Sequence, residues 1–269
     1  MDDRSSSTYV CVVTGGSRGI GKATADALAQ PGATVVTLGR DPARSTVRCD
    51  LGSFASIRHA AQEIAARWPR VHLLVNNAGV QHRRRILSGD GIEATLAVNH
   101  LAPFLLTRLL LPNLEAAGPS RVVTISSPLA RWGRIDFDDL QSTRRYNGTR
   151  AYLQSKLANI MFTLSLTERL TNSSVSAVCV YPGLVATDLL RERWWWRPRA
   201  LRPLWRLLFL RPESAARIVV TAANAPLPGD PACCFTLGGR TTAAPRQARD
   251  PALRERLWAE TVRLVGVDF

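Results

Sequence analysis

Lysine is nearly absent from this chain: of 35 basic residues only Lys22 and Lys156 are lysine. Cysteine is scarce too. The 5 cysteines (Cys11, Cys49, Cys179, Cys233, Cys234) form no C-x-x-C pair and have no histidine at ligand spacing. That excludes the common zinc and dithiol frameworks and reads as small core residues in a reducing compartment. No unbroken apolar run approaches the roughly 20 residues of a spanning helix; the stretches 109–111 and 207–210 are among the longest. The residues before Tyr9 also lack the basic start and apolar centre of a secretory signal, so residence in the cytoplasm is expected. Acidic residues are few, 21 against 35 basic, which leaves a net charge of +14. Such a surplus suits nucleic acid, an anionic membrane surface or a phosphorylated cofactor, or is simply a surface of solvated arginines. No recognised nucleic-acid motif accompanies it, and no nucleic-acid partner is expected.

What is present is a repeating alternation. Residues 9–14 (Tyr-Val-Cys-Val-Val-Thr) make a buried-strand pattern, followed by glycines and by 20–30, where Ala23, Ala27 and Leu28 recur at helical spacing. Further strands are expected at 33–38, 47–50, 71–76, 121–126, 176–181 and 232–237. Helices are expected at 54–68, capped by Ser53, and at 91–114, 151–170, 214–223 and 251–265. Strands that are apolar on both faces and alternate with helices predict an α/β class, a doubly wound Rossmann fold with a mainly parallel central sheet. One domain over 1–269 is expected, with the Arg-, Trp- and Pro-rich stretch 189–228 as a substrate-covering insertion within it.

Thr14-Gly-Gly-Ser-Arg-Gly-Ile-Gly21 sets Gly15, Gly19 and Gly21 between a strand and a helix. Glycine there lets the backbone turn tightly and approach a pyrophosphate, while the helix N-terminus supplies N–H groups. Further motifs follow in order: Asn76-Asn77-Ala78-Gly79, Asn99, Ser127, Tyr152-x-x-x-Lys156 and Pro182-Gly183. In that order they resemble the short-chain dehydrogenase/reductase superfamily over nearly the whole chain. Asp90-Gly-Ile-Glu93, Val98-Asn-His-Leu-Ala-Pro-Phe-Leu-Leu106, Ser155-Lys-Leu-Ala-Asn159 and Leu253-Arg-Glu-Arg-Leu-Trp258 resemble its retinol dehydrogenase and WW-domain oxidoreductase branch, without the membrane-anchoring N-terminal segment of many members.

The resemblance implies a dinucleotide seat built from Gly15, Ser17, Arg18, Gly19, Ile20 and Gly21, with Arg40, Asp50, Leu51, Asn77, Ala78, Gly79, Tyr152, Lys156, Pro182, Gly183, Val185 and Thr187. Gly39 stands where NAD-selective members carry an acid for the ribose 2'-OH. Arg18 and Arg40 could flank a 2'-phosphate, so NADP(H) is the expected cofactor, although both arginines also read as solvated surface charge. Asp50 would contact the adenine.

Carbonyl reduction needs a hydride on carbon and a proton on oxygen. A tyrosine phenol has an ordinary pKa near 10, too high for efficient base work at neutral pH. Lys156 lies one helical turn past Tyr152; at about 4 Å its charge is worth at most roughly 4 kcal/mol, or about three pKa units. Tyr146 is the rival donor, but its fourth neighbour is Arg150. By the resemblance, Ser127 rather than the adjacent Ser126 would hydrogen-bond the substrate oxygen. Asn99 would hold a water of the proton relay, and Lys156 would also bind the nicotinamide ribose. The catalytic set is then Asn99, Ser127, Tyr152 and Lys156, and 131–149 should shape the substrate mouth. His59, His72, His82 and His100 have no metal-ligand spacing, and no metal is expected.

Trp194, Trp195 and Trp196, interleaved with arginine, imply a bulky lipophilic substrate; the same residues suit a peripheral contact with anionic lipid or a homo-oligomer interface. The functional expectation is an NADP(H)-dependent oxidoreductase interconverting a ketone or aldehyde and an alcohol. Two alternatives stand beside it: a redox-neutral epimerase or cyclising enzyme using bound NADP(H), and a non-catalytic NADP(H)-binding protein.

Overall fold

A computed structural model describes residues 9–183 and 210–269. Strand β1 (Tyr9–Thr14) leads into α1 (Gly19–Leu28), β2 (Ala33–Gly39), β3 (Val47–Arg48), α2 (Phe54–Arg67) and β4 (Leu73–Asn76). A short α3 (Ala94–Leu96) then passes through a π-helical turn (Ala97–Leu101) into α4 (Ala102–Ala116). The remaining elements are β5 (Ser120–Ile125), α5 (Gly148–Arg169), β6 (Val175–Val180), α6 (Pro212–Asn224), β7 (Cys233–Phe235), β8 (Thr241–Ala243) and α7 (Pro251–Val265).

The strands lie in the order β3-β2-β1-β4-β5-β6-β7-β8, parallel throughout except for the antiparallel β7–β8 pair. This is the mainly parallel, doubly wound sheet that the strand and helix alternation predicts. Parallel neighbours require crossover helices, which cover both faces. Along β1, Val10 and Val12 pack with Ile57, Leu105 and Phe162 on one side, and Cys11 and Val13 with Ile218 and Val219 on the other. That is why the strand is apolar at every position. The order of the strands reverses between β1 and β4, so a crevice opens beyond the C-terminal ends of those two parallel strands. All five cysteines are buried with free thiols.

Several boundaries differ from the sequence pattern. The helix expected from 91 begins at Ala94, because Gly91 turns with φ +75 and the Glu93 carboxylate caps the N–H groups of Thr95 and Leu96. The strand expected to reach 50 stops at Arg48; the Asp50 carboxylate accepts from the Gly52 N–H at 2.9 Å and closes a turn. Strand β8, only Thr-Thr-Ala and exposed, carries no hydrophobic signal that could have announced it. Within the stretch 189–228, Pro212–Asn224 is a sheet-covering helix whose Ala215, Ala216, Ile218, Val219 and Ala222 are buried. Residues 184–209 lie outside the described residues.

The expectation that no segment is long and apolar enough to span a membrane is corrected. The helical stretch Ala94–Ala116 is 23 residues long, with a mean hydropathy of 1.4 in its most apolar window. Counting unbroken apolar runs missed it, because Thr, Asn and His interrupt the run without breaking the helix. Within the fold, 78% of that window is buried, as in a core helix.

Candidate active site

At the end of β1, Gly15 turns with φ +67, and Gly19 opens α1 with φ +57, left-handed values that favour glycine. A Cβ on Gly21 would collide with the Gly15 carbonyl oxygen, so the helix start is packed directly on the turn. No side chain of its cap residue, Arg18, closes the N-terminus of α1. The N–H groups of its first turn and the positive end of the helix dipole face the turn, a geometry that fits a pyrophosphate.

The crevice is fastened by Thr14. Its hydroxyl oxygen accepts from the N–H groups of Asn77 and Ala78 at 2.9 and 3.0 Å, and Asn77 Nδ2 donates to the Thr14 carbonyl at 2.8 Å. Asn77 and Ala78 thus tie the end of β4 to the end of β1. Ser17 and Ile20 are half-buried in the turn and the helix start, and Arg18 and Arg40 are exposed beside the C-terminal ends of β1 and β2. Asp50 is exposed, but the Leu51 side chain points into the core, which leaves only its backbone to face a ligand. Pro182 is buried and Gly183 turns with φ +83 directly after β6. Val185, Thr187, Trp194, Trp195 and Trp196 lie outside the described residues.

Four side chains converge where this turn meets β5 and α5. Ser127, directly after β5, acts on the Tyr152 phenol to lower its pKa; its Oγ accepts from the Leu129 N–H at 3.2 Å. Lys156, buried one turn along α5, donates from Nζ to the Ile125 carbonyl at 3.0 Å. Asn99 sits on the π turn, a local geometry common at functional sites. Its Oδ1 accepts from the Val80 N–H at 2.7 Å and its Nδ2 donates to Val80 O and Ser155 Oγ, both at 2.9 Å. A Cβ on Gly79 would stand 3.5 Å from Lys156 Nζ and 3.6 Å from Asn99 Oδ1, so the glycine end and the polar end meet there.

The two rivals left open by the sequence are separated. Ser126 donates to the Lys156 carbonyl at 2.6 Å, which ties β5 to α5 and leaves Ser127 as the serine beside Tyr152. Tyr146 donates to Glu93 Oε1 at 3.1 Å and to the His82 carbonyl at 3.3 Å, and so serves the walls of the mouth.

The charge argument made for Tyr152 is corrected. Burial pushes its phenol up to about 12, with the Ser127 hydroxyl acting in the opposite direction. Burial pushes the Lys156 ammonium down to about 8. Lys156 Nζ, 5.9 Å from the centre of the Tyr152 ring, is engaged by the Ile125 carbonyl, and desolvation is the larger influence on the phenol. At neutral pH the pair is a protonated phenol and a charged amine, the state suited to giving a proton away.

The sequence reading did not assign Thr14 or Glu93. Thr14 stands directly before the first glycine, a position from which a hydroxyl reaches the neighbouring strand end; nothing local marks Glu93 as the buried cap of α3.

The family described as short chain dehydrogenase matches residues 9–198. Human retinol dehydrogenase 13 is 38% identical over 96% of this chain and 84% of its own. Mouse polyprenol dehydrogenase is 40% identical over 96% of this chain and 84% of its own. Among solved structures, a metagenomic short-chain oxidoreductase in complex with NADP is 29% identical, with a TM-score of 0.57 over 81% of this chain and 92% of that one. These similarities agree with the retinol dehydrogenase branch indicated by the sequence motifs. They also overturn the expected cytoplasmic residence. The relatives are named for retinol and polyprenol, apolar alcohols that gain about 0.8 kcal/mol per CH₂ buried in a bilayer. The stretch Ala94–Ala116 removes the other ground for that expectation.

Proposed function

The chain belongs to the short chain dehydrogenase family, and from that premise we propose that it is an NADP(H)-dependent oxidoreductase interconverting a ketone or aldehyde and an alcohol on a bulky lipophilic substrate. The observation that carries this reading is the meeting, at Gly79, of a glycine turn fit for a pyrophosphate with the buried Lys156 ammonium and Asn99 amide, one helical turn from Tyr152 and beside Ser127 at the end of β5.

A bound nicotinamide supplies or accepts the hydride. Tyr152 passes its phenolic proton to the carbonyl oxygen in reduction and takes it back in oxidation. Ser127 hydrogen-bonds the same oxygen as charge develops on it. Lys156, whose ammonium donates to the Ile125 carbonyl, would bind the nicotinamide ribose and supply a positive charge on the same helix as Tyr152. Asn99 holds the 79–80 backbone against α5 and keeps the π turn open for a water of the relay.

The preference for NADP(H) is supported by Gly39 at the end of β2 with Arg40 next to it, and by Arg18 at the start of α1. A guanidinium fork suits a 2'-phosphate, and no acid at the end of β2 claims the 2'-OH. The lipophilic substrate class is supported by the relatives named for retinol and polyprenol, and by the Arg- and Trp-rich stretch 189–209, which we assign to covering the substrate. The test is a fluorescence titration of NADPH and NADH, followed by NADPH oxidation with retinaldehyde and with small ketones. Tighter NADPH binding and preferential turnover of retinaldehyde are expected. Equal affinity for the two cofactors overturns the assignment of NADP(H), and failure of every carbonyl overturns the reaction.

A further inference from the structure

Glu93 and Tyr146 have no part in the mechanism above, yet they join the segments that border it. Glu93 is a carboxylate only 2% exposed. Its Oε2 accepts from the Leu96 N–H at 2.7 Å and its Oε1 from the Thr95 N–H at 2.9 Å, the two bonds of a helix cap. Oε1 also accepts from the Tyr146 hydroxyl at 3.1 Å. An aspartate would suffice for the cap alone; the longer glutamate reaches the cap and Tyr146 together.

Three segments meet at this residue. The first is the turn after β4. Asn99 Oδ1 holds its start by accepting from the Val80 N–H at 2.7 Å, and its far end returns to Glu93, where Leu87 pairs with Glu93 in an antiparallel bridge and the Ala94 N–H donates to the Ile86 carbonyl at 2.9 Å. The second is 131–149, strung between Ser127 and Tyr152. Besides Tyr146, its Gln141 accepts from the Glu93 N–H through Oε1 at 3.3 Å and from Arg85 Nε through its carbonyl at 3.0 Å. The third is α3 itself, which runs into the π turn that carries Asn99. The turn so fastened leaves two large apolar side chains in water, Ile86 and Leu87, 48% and 51% exposed. It follows the C-terminal end of β4, beyond which the crevice opens, so these side chains are placed to meet an apolar ligand.

We propose that Glu93 and Tyr146 are a specificity-determining pair: the carboxylate fixes 80–87 and 131–149 against the π turn, and so sets the width of the substrate mouth and holds Ile86 and Leu87 along the apolar tail of a bulky carbonyl substrate. The inference rests on the lipophilic substrate class proposed above and adds the residues that select for it. Neither residue touches the reacting atoms; both act through the position of the walls. A small carbonyl compound, which ends near Ser127 and Tyr152, gains nothing from them.

Glu93→Asp keeps a cap for Thr95 and Leu96 but draws the carboxylate one methylene back from Tyr146, and Tyr146→Phe removes the same bond from its other side. With NADPH, each should lower the ratio of kcat/KM for retinaldehyde to that for propanal about 10-fold, through a raised KM for retinaldehyde and with its kcat within about 2-fold of wild type. The double variant should lose no more than either single one, because both remove one bond. Ile86→Ser combined with Leu87→Ser should lower the same ratio. A second readout needs no substrate: in hydrogen exchange, the amides of 86–92 and 141–146 should exchange about 10-fold faster in both single variants, with 95–101 still protected in Glu93→Asp. An unchanged ratio, unchanged exchange, additive losses in the double variant, or equal losses for the two carbonyls in step with melting temperature overturns the inference. Should Glu93→Asp fail to fold, Tyr146→Phe decides it alone. Wild-type protein with no preference for retinaldehyde fails the proposed substrate class and this inference with it, whereas a preference that survives both variants removes this inference only.

Discussion

Lys156 Nζ lies 5.9 Å from the centre of the Tyr152 ring and donates a hydrogen bond to the Ile125 carbonyl on β5. Each is displaced by burial in its own direction: the phenol up to about 12, the ammonium down to about 8. At neutral pH the resting phenol is therefore protonated.

The alkaline limb of the reduction should accordingly belong to Lys156. As pH rises through about 8 the ammonium loses its proton and its charge, while Tyr152 keeps its proton to about 12. A profile of kcat/KM against pH with NADPH and retinaldehyde should fall above about pH 8. A limb near 10, the ordinary phenol value, would assign it to Tyr152 instead.

Removing the phenolic hydroxyl tests the chemistry directly. Tyr152→Phe keeps the ring and should lower single-turnover NADPH oxidation by roughly 10²-fold to 10⁴-fold while NADPH still binds. Tyr146→Phe should leave the chemistry in place but cost about 1–3 kcal/mol of stability, because the buried Glu93 carboxylate loses a donor. Near-normal turnover in Tyr152→Phe removes the proposed proton donor.

Arg40→Asp puts a carboxylate at the end of β2. It should weaken NADPH and favour NADH, by repelling the 2'-phosphate and accepting from the 2'-OH. Comparing the two dissociation constants in wild type and variant checks this. An unchanged ratio would leave Arg40 as a solvated charge.

His100 makes stability depend on acid. Burial pushes its imidazole down to about 4, below the unfolded value near 6.5. Between those values the unfolded chain takes up a proton that the folded protein refuses. The contribution is therefore present above about pH 6.5 and is lost as pH falls toward 4. Linkage gives a loss of about 2 kcal/mol between pH 7 and pH 5. Urea unfolding at the two pH values should show it, and His100→Gln should flatten it.

Much of the architecture was legible in the sequence. Val10 to Val13 are apolar at every position, which only a strand covered on both faces requires, and the glycines from Gly15 to Gly21 announce the turn into α1. Ser127 follows the end of β5, Tyr152 and Lys156 lie one turn apart in the first half of α5, and Asn99 sits on the π turn, so each was marked by a short local motif. Strand β8 was invisible because three exposed residues bury nothing from which a pattern could be read.

Tertiary structure alone decided the rest. Sequence gives the spacing of Tyr152 and Lys156, but the direction of a long side chain follows from the nearest acceptor, and that acceptor is a carbonyl on β5, 31 residues away. Glu93 meets Tyr146 across 53 residues, and His100 meets Thr261 across 161. Such pairs leave no periodicity, since nothing in the intervening chain must match them. Periodic burial and turn chemistry are written locally and can be read from the chain; hydrogen-bond partners and the desolvation that shifts pKa values depend on what the sheet brings together.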